Sequence, residues 1–503
     1  MRQPWPRHPL VLELNARVWV RELSARAGRR ITLATVPDQD IDALARLGFD
    51  AVWLMGVWTT GPGAIAVARS HGALRDRYSR ALPDWSVADV AGSPFAVSRY
   101  EVSGELGGPG ALASLRARLG HRGMRLILDF VPNHTARDHP LLTQRPEAFV
   151  QGFEEDLTRD PASFFRTRSG CIVAHGRDPN YPAWTDTAQI NYGQLAGRES
   201  MLATLAKIAD RCDGVRCDMA MLALPEVMER TWGTRLGRDW IRAGFWSGAI
   251  QAIRARHPGF LFLAEGYWGL EWRLQREGFR FTYDKTLYDR LLRGDHSGVR
   301  GHLWGEEAFQ EGCARFLENH DEERAMSAFA PDRWQSAAVA TFLAPGLRLF
   351  HQGQVDGRAL QVPVQLTRWP TEPARPEVRS FHERLLGILR APLLRDGACR
   401  QLEVRPAGPD GGEWGSLLAL AWRPAGDPRA TPGFLAVVNL GGERAWGRVP
   451  LPEGSVGPED RYVLLDRWDD EAYFRSGREL IHPGLFVALG AHRSHLFEVA
   501  RVE

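Results

Sequence analysis

Eight short runs rich in β-formers, separated by longer stretches with helical periodicity, constrain this chain more than any other feature. The runs are "LELNARVWV" (12–20), "AVWLMGV" (51–57), "RLILDFV" (125–131), "GVRCDM" (214–219), "FLFLAEG" (260–266), "FRFTYD" (279–284), "ARFLENHD" (314–321) and "LRLFHQG" (347–353). Stretches such as "DIDALARLGFD", "GALASLRARLGHRG" and "WSGAIQAIRARHPG" repeat apolar residues every three to four positions and stop at Gly or Pro. Strands alternating with helices build parallel βα units. Eight such units predict a closed (β/α)8 TIM barrel, an α/β fold, with a doubly wound open sheet as the alternative.

Two stretches break the alternation. Residues 135–195 hold no sustained period and are dense in Pro, Gly, Asp and Asn, so a small inserted domain is expected after the third strand. After about residue 395 the helical period stops. "SLLALAWRP", "GFLAVVNLGG", "YVLLDRW" and "LFVALGAHRSHLFEVA" predict a C-terminal antiparallel β domain, a sandwich. The chain then divides into a barrel (1–134 and 196–394), an insertion (135–195) and a β domain (395–503).

Composition excludes some roles. A net charge of +2 gives no electrostatic case for nucleic acid or an anionic membrane. No apolar run reaches the roughly 18 residues of a membrane span, and the N-terminus lacks the apolar core of a signal peptide. Five dispersed cysteines show no metal-ligand spacing. Reduced thiols and a cytoplasmic location are the expectation.

Barrels do their chemistry at the C-terminal ends of their strands. Strand three ends "DFVPNH", with Asp129, Asn133 and His134; strand four ends "RCD", with Arg216 and Asp218; strand five ends "AEG", with Glu265; strand seven ends "ENHDEE", with Asn319, His320 and Asp321. Four strands deliver polar groups to one rim, where burial without partners would cost several kcal/mol each. Three carboxylates around one cleft fit glycoside chemistry, in which one attacks, one donates a proton and a third binds the sugar. Arg216 shares a strand face with Asp218 by the two-residue period and would keep that carboxylate ionised. Glu265 follows the apolar "FLFLA", a setting expected to keep a carboxyl protonated as a general acid. Cys217, on the other face, should pack under the helices.

"DFVPNH", "GVRCD", "AEG" and "ENHD", in this order, resemble the four motif regions of the α-amylase family, glycoside hydrolase family 13. The resemblance covers roughly residues 10–395, makes the insertion B-domain-like and the tail C-domain-like. It implies that Asp218 is the nucleophile, Glu265 the general acid/base and Asp321 the carboxylate that holds sugar hydroxyls. It further implies that Arg216 supports the nucleophile, that His134 and His320 bind the sugar, and that Asp129 supports that subsite. Phe95, in "SPFAVSRYEV", falls where relatives often carry a stacking tyrosine. Asn133 matches a frequent Ca²⁺ ligand, so structural Ca²⁺ is an open expectation, while the chemistry needs no cofactor. The substrate implied is an α-glucan or oligosaccharide.

One departure is informative. Where many relatives place a Lys-His pair, this chain has Met221 and Leu222. Contacts on the leaving-group side must therefore differ. Hydrolysis of α-glucosidic bonds is the leading expectation. Transfer or isomerisation through the same covalent intermediate stays open, as do a non-catalytic glycan-binding role and an unrelated metal-using barrel.

Overall fold

In a computed structural model, the structure describes residues 4–236, 244–329, 331–408 and 413–502. The eight runs become the strands β1 (Leu10–Asn15), β2 (Ala51–Met55), β3 (Arg125–Phe130), β4 (Gly214–Cys217), β5 (Leu261–Ala264), β6 (Phe281–Tyr283), β7 (Cys313–Arg315) and β8 (Leu347–His351). They close into a barrel in chain order, β1 to β8 and back to β1. The parallel pairings place Arg216 beside Asp129 on β3 and beside Leu263 on β5. Every residue of β2, β4, β5 and β8 is buried, because a barrel strand is covered on both faces. By compactness the chain forms two units, residues 12–283 with 360–371, and residues 1–11, 284–359 and 372–503.

The first run departs from its expected extent. The strand stops at Asn15 and a helix, Ala16–Ala27, replaces the expected strand end "ARVWV". The cause is local. Asn15 Oδ1 accepts from the N–H groups of Arg17 and Val18 at 3.1 and 3.3 Å, an N-cap that outweighs the β-propensity of the next residues. The helix ends at Gly28, whose φ of 62° favours a residue without Cβ.

Residues 135–195 carry short elements rather than one long loop. Strand His134–Ala136 pairs with Thr187–Gln189, and Phe164–Arg166 with Ile172–Ala174, both antiparallel. The first pairing sets Gln189 opposite His134.

In the second unit, six antiparallel strands run in the order 398–402, 417–423, 434–439, 494–502, 461–466, 472–476. A two-stranded sheet, 445–449 with 485–489, accompanies them. Leu417, Val437 and Leu464 of the large sheet share one core with Val449 and Val487 of the small one, which makes a sandwich.

Candidate active site

Arg216 organises the site. Its side chain is fully buried on β4, yet it must stay charged, and it does so by facing two carboxylates at once. Nη1 donates to Asp218 Oδ1 at 2.6 Å, and Nη2 lies 2.7 Å from Glu265 Oε2. Burial works against the guanidinium charge, but Glu265, Tyr283 and Asp218 outweigh it and hold Arg216 well above its usual range. Three rings surround the cation, with Phe95, Trp53 and Tyr283 at 5.1, 5.2 and 5.7 Å from their centroids.

Glu265 sits at the end of β5 in surroundings unlike the apolar ones expected from "FLFLA". Beside Arg216, its Oε2 accepts from the Met219 N–H at 2.7 Å, and its Oε1 accepts from the Tyr267 hydroxyl at 2.7 Å. Phe262 of the apolar run packs against Phe260, Phe279 and Arg254, while the carboxyl meets donors beyond the strand end. Met219 makes this contact with φ 41° and ψ 47°, a left-handed backbone that is uncommon outside glycine. The Asp218 and Glu265 backbones continue the ladders beyond their strands. Asp218 N–H donates to the Phe130 carbonyl at 2.9 Å, and Glu265 N–H donates to that of Cys217 at 3.0 Å.

Asp129 is fully buried, and its contacts position others. Oδ1 accepts from the Trp53 indole at 2.9 Å, Oδ2 from the Gly56 N–H at 3.0 Å, and its carbonyl from the Trp58 indole at 2.8 Å. It supports the Arg216 surround through Trp53. His134 is buried, and burial pulls its ring down to about 3, while a hydrogen bond to the Phe95 backbone partly opposes this. The neutral ring lies 5.1 Å from that of Trp184. Cys217 is buried, and burial pushes its thiol well up, so it is inert.

The structure thus gathers Phe95, Asp129, His134, Arg216, Asp218 and Glu265 in the first unit. His320 and Asp321 follow β7 in the second. His320 is buried with Nε2 3.0 Å from Asp321 Oδ2, and the Asp321 side chain is half exposed at 52%. Asn319 Oδ1 accepts from the N–H groups of Asp321 and Glu322 at 2.9 and 3.0 Å and shapes that turn. Glu318 is structural. Its Oε1 accepts from Arg324 at 2.6 Å and its Oε2 from the Ala325 N–H at 2.7 Å.

Sequence reasoning missed Trp53, Tyr283 and the contact of Tyr267 with Glu265. Two signals could have found them. Tyr283 ends β6, a strand whose terminus was passed over, and Tyr267 follows Glu265 by two residues, as Asp218 follows Arg216. Met221 and Leu222 are buried, at 0% and 2% exposure, so the places of the Lys-His pair offer apolar packing.

Asn133 does not fit a Ca²⁺ ligand. Its Oδ1 and its carbonyl both accept from Gln189 Nε2, at 3.0 and 2.9 Å, and Nε2 also donates to Ile190 at 3.0 Å. The amide nitrogen stands where a cation shared by those oxygens would stand. Among the described residues, no group of three or more His, Cys, Asp or Glu is arranged to hold a metal ion.

No protein-family model matches the chain. An α-amylase, MalA, from Haloarcula japonica is 26% identical over 362 residues, 70% of this chain and 45% of that protein. The chain therefore spans under half the length of this curated relative. Among solved structures, a maltogenic α-amylase, AmyB, from Thermotoga neapolitana superposes with a TM-score of 0.68 at 17% identity over 99% of both chains. The chain has the α-amylase fold. The Geobacillus thermoleovorans α-amylase in complex with acarbose has the same architecture, with a TM-score of 0.64 at 16% identity over 99% of both chains. With its motif regions at the strand ends, the chain resembles the α-amylase family in sequence and in fold.

Proposed function

We propose that this chain is a retaining α-glycosidase that cleaves α-glucosidic bonds of maltooligosaccharides and α-glucans. The observation that carries the proposal is one buried guanidinium clamping two carboxylates at the ends of adjacent strands. Neighbouring strands lie about 4.8 Å apart, which suits the roughly 5–5.5 Å between the carboxyls of a retaining pair.

In this reading Asp218 attacks the anomeric carbon, and Arg216 keeps it ionised and oriented. Glu265 protonates the leaving oxygen. The proton is carried on Oε1, because Oε2 is already held by the Met219 N–H and the Arg216 cation. Glu265 then takes a proton from water, which releases the sugar from Asp218. Neutral His134 can donate to a sugar hydroxyl and Phe95 offers a ring face; for His320 and Asp321 a hold on sugar hydroxyls rests on the motif resemblance. No step uses a metal. The residue ranges 135–195 and 395–503 as inserted and C-terminal domains belong to this proposal. So does a cytoplasmic location, supported by five free cysteines and by the absence, among the described residues, of a helix long and apolar enough to cross a membrane.

The test is incubation of the protein and of Asp218→Asn with maltooligosaccharides, products being separated by chromatography. Shortened chains from the wild type, and a loss of at least ~10⁴-fold in Asp218→Asn with an unchanged circular dichroism spectrum, are expected. Full activity in Asp218→Asn sinks the assignment. Chain-lengthened products would replace hydrolysis by transfer.

A further inference from the structure

A cavity of about 730 Å³ opens in the first unit among residues that play no part in the carboxylate cluster. Arg17, Arg21, Arg30 and Arg69 line it, and Glu105 is the one carboxylate among the described lining residues. Arg21 pairs with Asp89 at 2.7 Å, a carboxylate that Arg368 also reaches at 3.2 Å. The other three make no ion pair among the described residues and give hydrogen bonds to neutral oxygens. Arg17 donates to the Gly92 carbonyl at 2.9 Å and to the Thr60 hydroxyl, Arg30 to the Gly104 carbonyl at 3.2 Å, and Arg69 to the Val90 carbonyl at 3.3 Å.

Arg17 is the telling member. It is half-buried, and burial draws its guanidinium down to about 10, so it stays charged at neutral pH in a place that penalises charge. Cations kept in such surroundings are ordinarily paired with anions. Arg17 also feels Asp129 behind the wall, but Glu105 is the one carboxylate among the described lining residues, so the cavity keeps a net positive charge. A phosphomonoester carries nearly two negative charges at pH 7. Guanidinium forks recognise such oxyanions through paired N–H donors. The volume lies within the range of small-molecule sites and exceeds what a bare phosphate fills. The hydroxyls of Thr59, Thr60 and Ser103 along the same wall can meet those of a sugar.

We propose that this cavity binds a small sugar phosphate, its phosphate held by Arg17, Arg30 and Arg69, at a site separate from the carboxylate cleft. The experiment is isothermal titration calorimetry on the full chain at low ionic strength, with glucose 6-phosphate, glucose and inorganic phosphate as titrants. Saturable one-to-one binding of glucose 6-phosphate is expected, at least tenfold tighter than either of the others, and weakened by added salt. Arg30→Gln and Arg69→Gln, both exposed at the mouth, should each weaken it roughly tenfold while leaving the far-ultraviolet spectrum unchanged. Arg17→Gln should weaken it further, but this residue also holds Gly92, so the mouth variants carry the decision. Glucose binding as tightly as its phosphate, or glucose 6-phosphate binding unaltered in both mouth variants, overturns the proposal. Equal affinity for inorganic phosphate overturns the sugar in it.

Discussion

Replacing Arg216 by methionine should test the centre of the site most severely. The side chain is wholly buried and stands 2.6 Å from Asp218 and 2.7 Å from Glu265, so its loss leaves two buried carboxylates without their cation. Removing one partner of a buried ion pair typically costs about 3–5 kcal/mol, because the remaining charge is stranded. Here two charges are stranded on one side, which places the expected loss at the upper end, about 5 kcal/mol. The Met219 N–H and the Tyr267 hydroxyl still serve Glu265 and limit the damage there. Urea unfolding followed by tryptophan fluorescence measures the loss as a lowered midpoint at constant slope. Adding Asp218→Asn and Glu265→Gln to Arg216→Met should restore most of the stability, since the two carboxylates that Arg216 directly faces are then neutral. A cost under about 1 kcal/mol for Arg216→Met, or a triple variant no more stable than the single one, would refute a clamping role for Arg216.

Three further outcomes are expected. Tyr267→Phe removes the hydroxyl on Glu265 Oε1 and should lower kcat roughly tenfold while shifting the pH–rate profile; an unchanged profile would detach Tyr267 from proton transfer. Chelation with EDTA should leave the melting temperature unchanged, whereas Gln189→Leu, which removes the donor to Asn133 Oδ1 while the Asn133 carbonyl keeps the Ile190 N–H, should cost about 1–3 kcal/mol; a chelator-sensitive melt would reverse the reading of Gln189. Burial pushes His134 to about 3, and His175 and His382 to about 4, so folding holds all three neutral while the unfolded chain gains protons below its ordinary histidine range. Stability should therefore be complete above about pH 6.5 and fall as pH drops toward 4, by up to about 4 kcal/mol per pH unit for three groups. Equal urea midpoints at pH 7.5 and 5 would contradict the burial of these rings.

The barrel was legible because its signal is local. Each strand-like run is short and apolar, each helix keeps its own period, and eight repeats leave few ways to close. Asp218, Glu265 and Arg216 were legible for a related reason, since strand ends can be counted along the chain. The limits were local as well. "ARVWV" carries β-branched and aromatic residues, yet the cap at Asn15 turns it into a helix. The apolar "FLFLA" pointed to a dry surround for Glu265, but a period-two pattern describes the strand and not the loop above it.

What the sequence determined by itself was the order of elements and the residue types at the strand ends, because both follow from spacing along one dimension. What tertiary structure alone decided was who faces whom. Arg216 meets Glu265 across 49 positions of chain (216 to 265) through the register of β4 on β5, and Tyr283 and Trp53 close around it from two other strands. Asn133 meets Gln189 because two short strands pair antiparallel, and that pairing puts an amide where a cation was expected. The arginine-lined cavity has no motif at all. Arg17 and Arg21 share the helix Ala16–Ala27 and Arg30 follows it closely, while Arg69 comes from a separate stretch that only folding brings beside them.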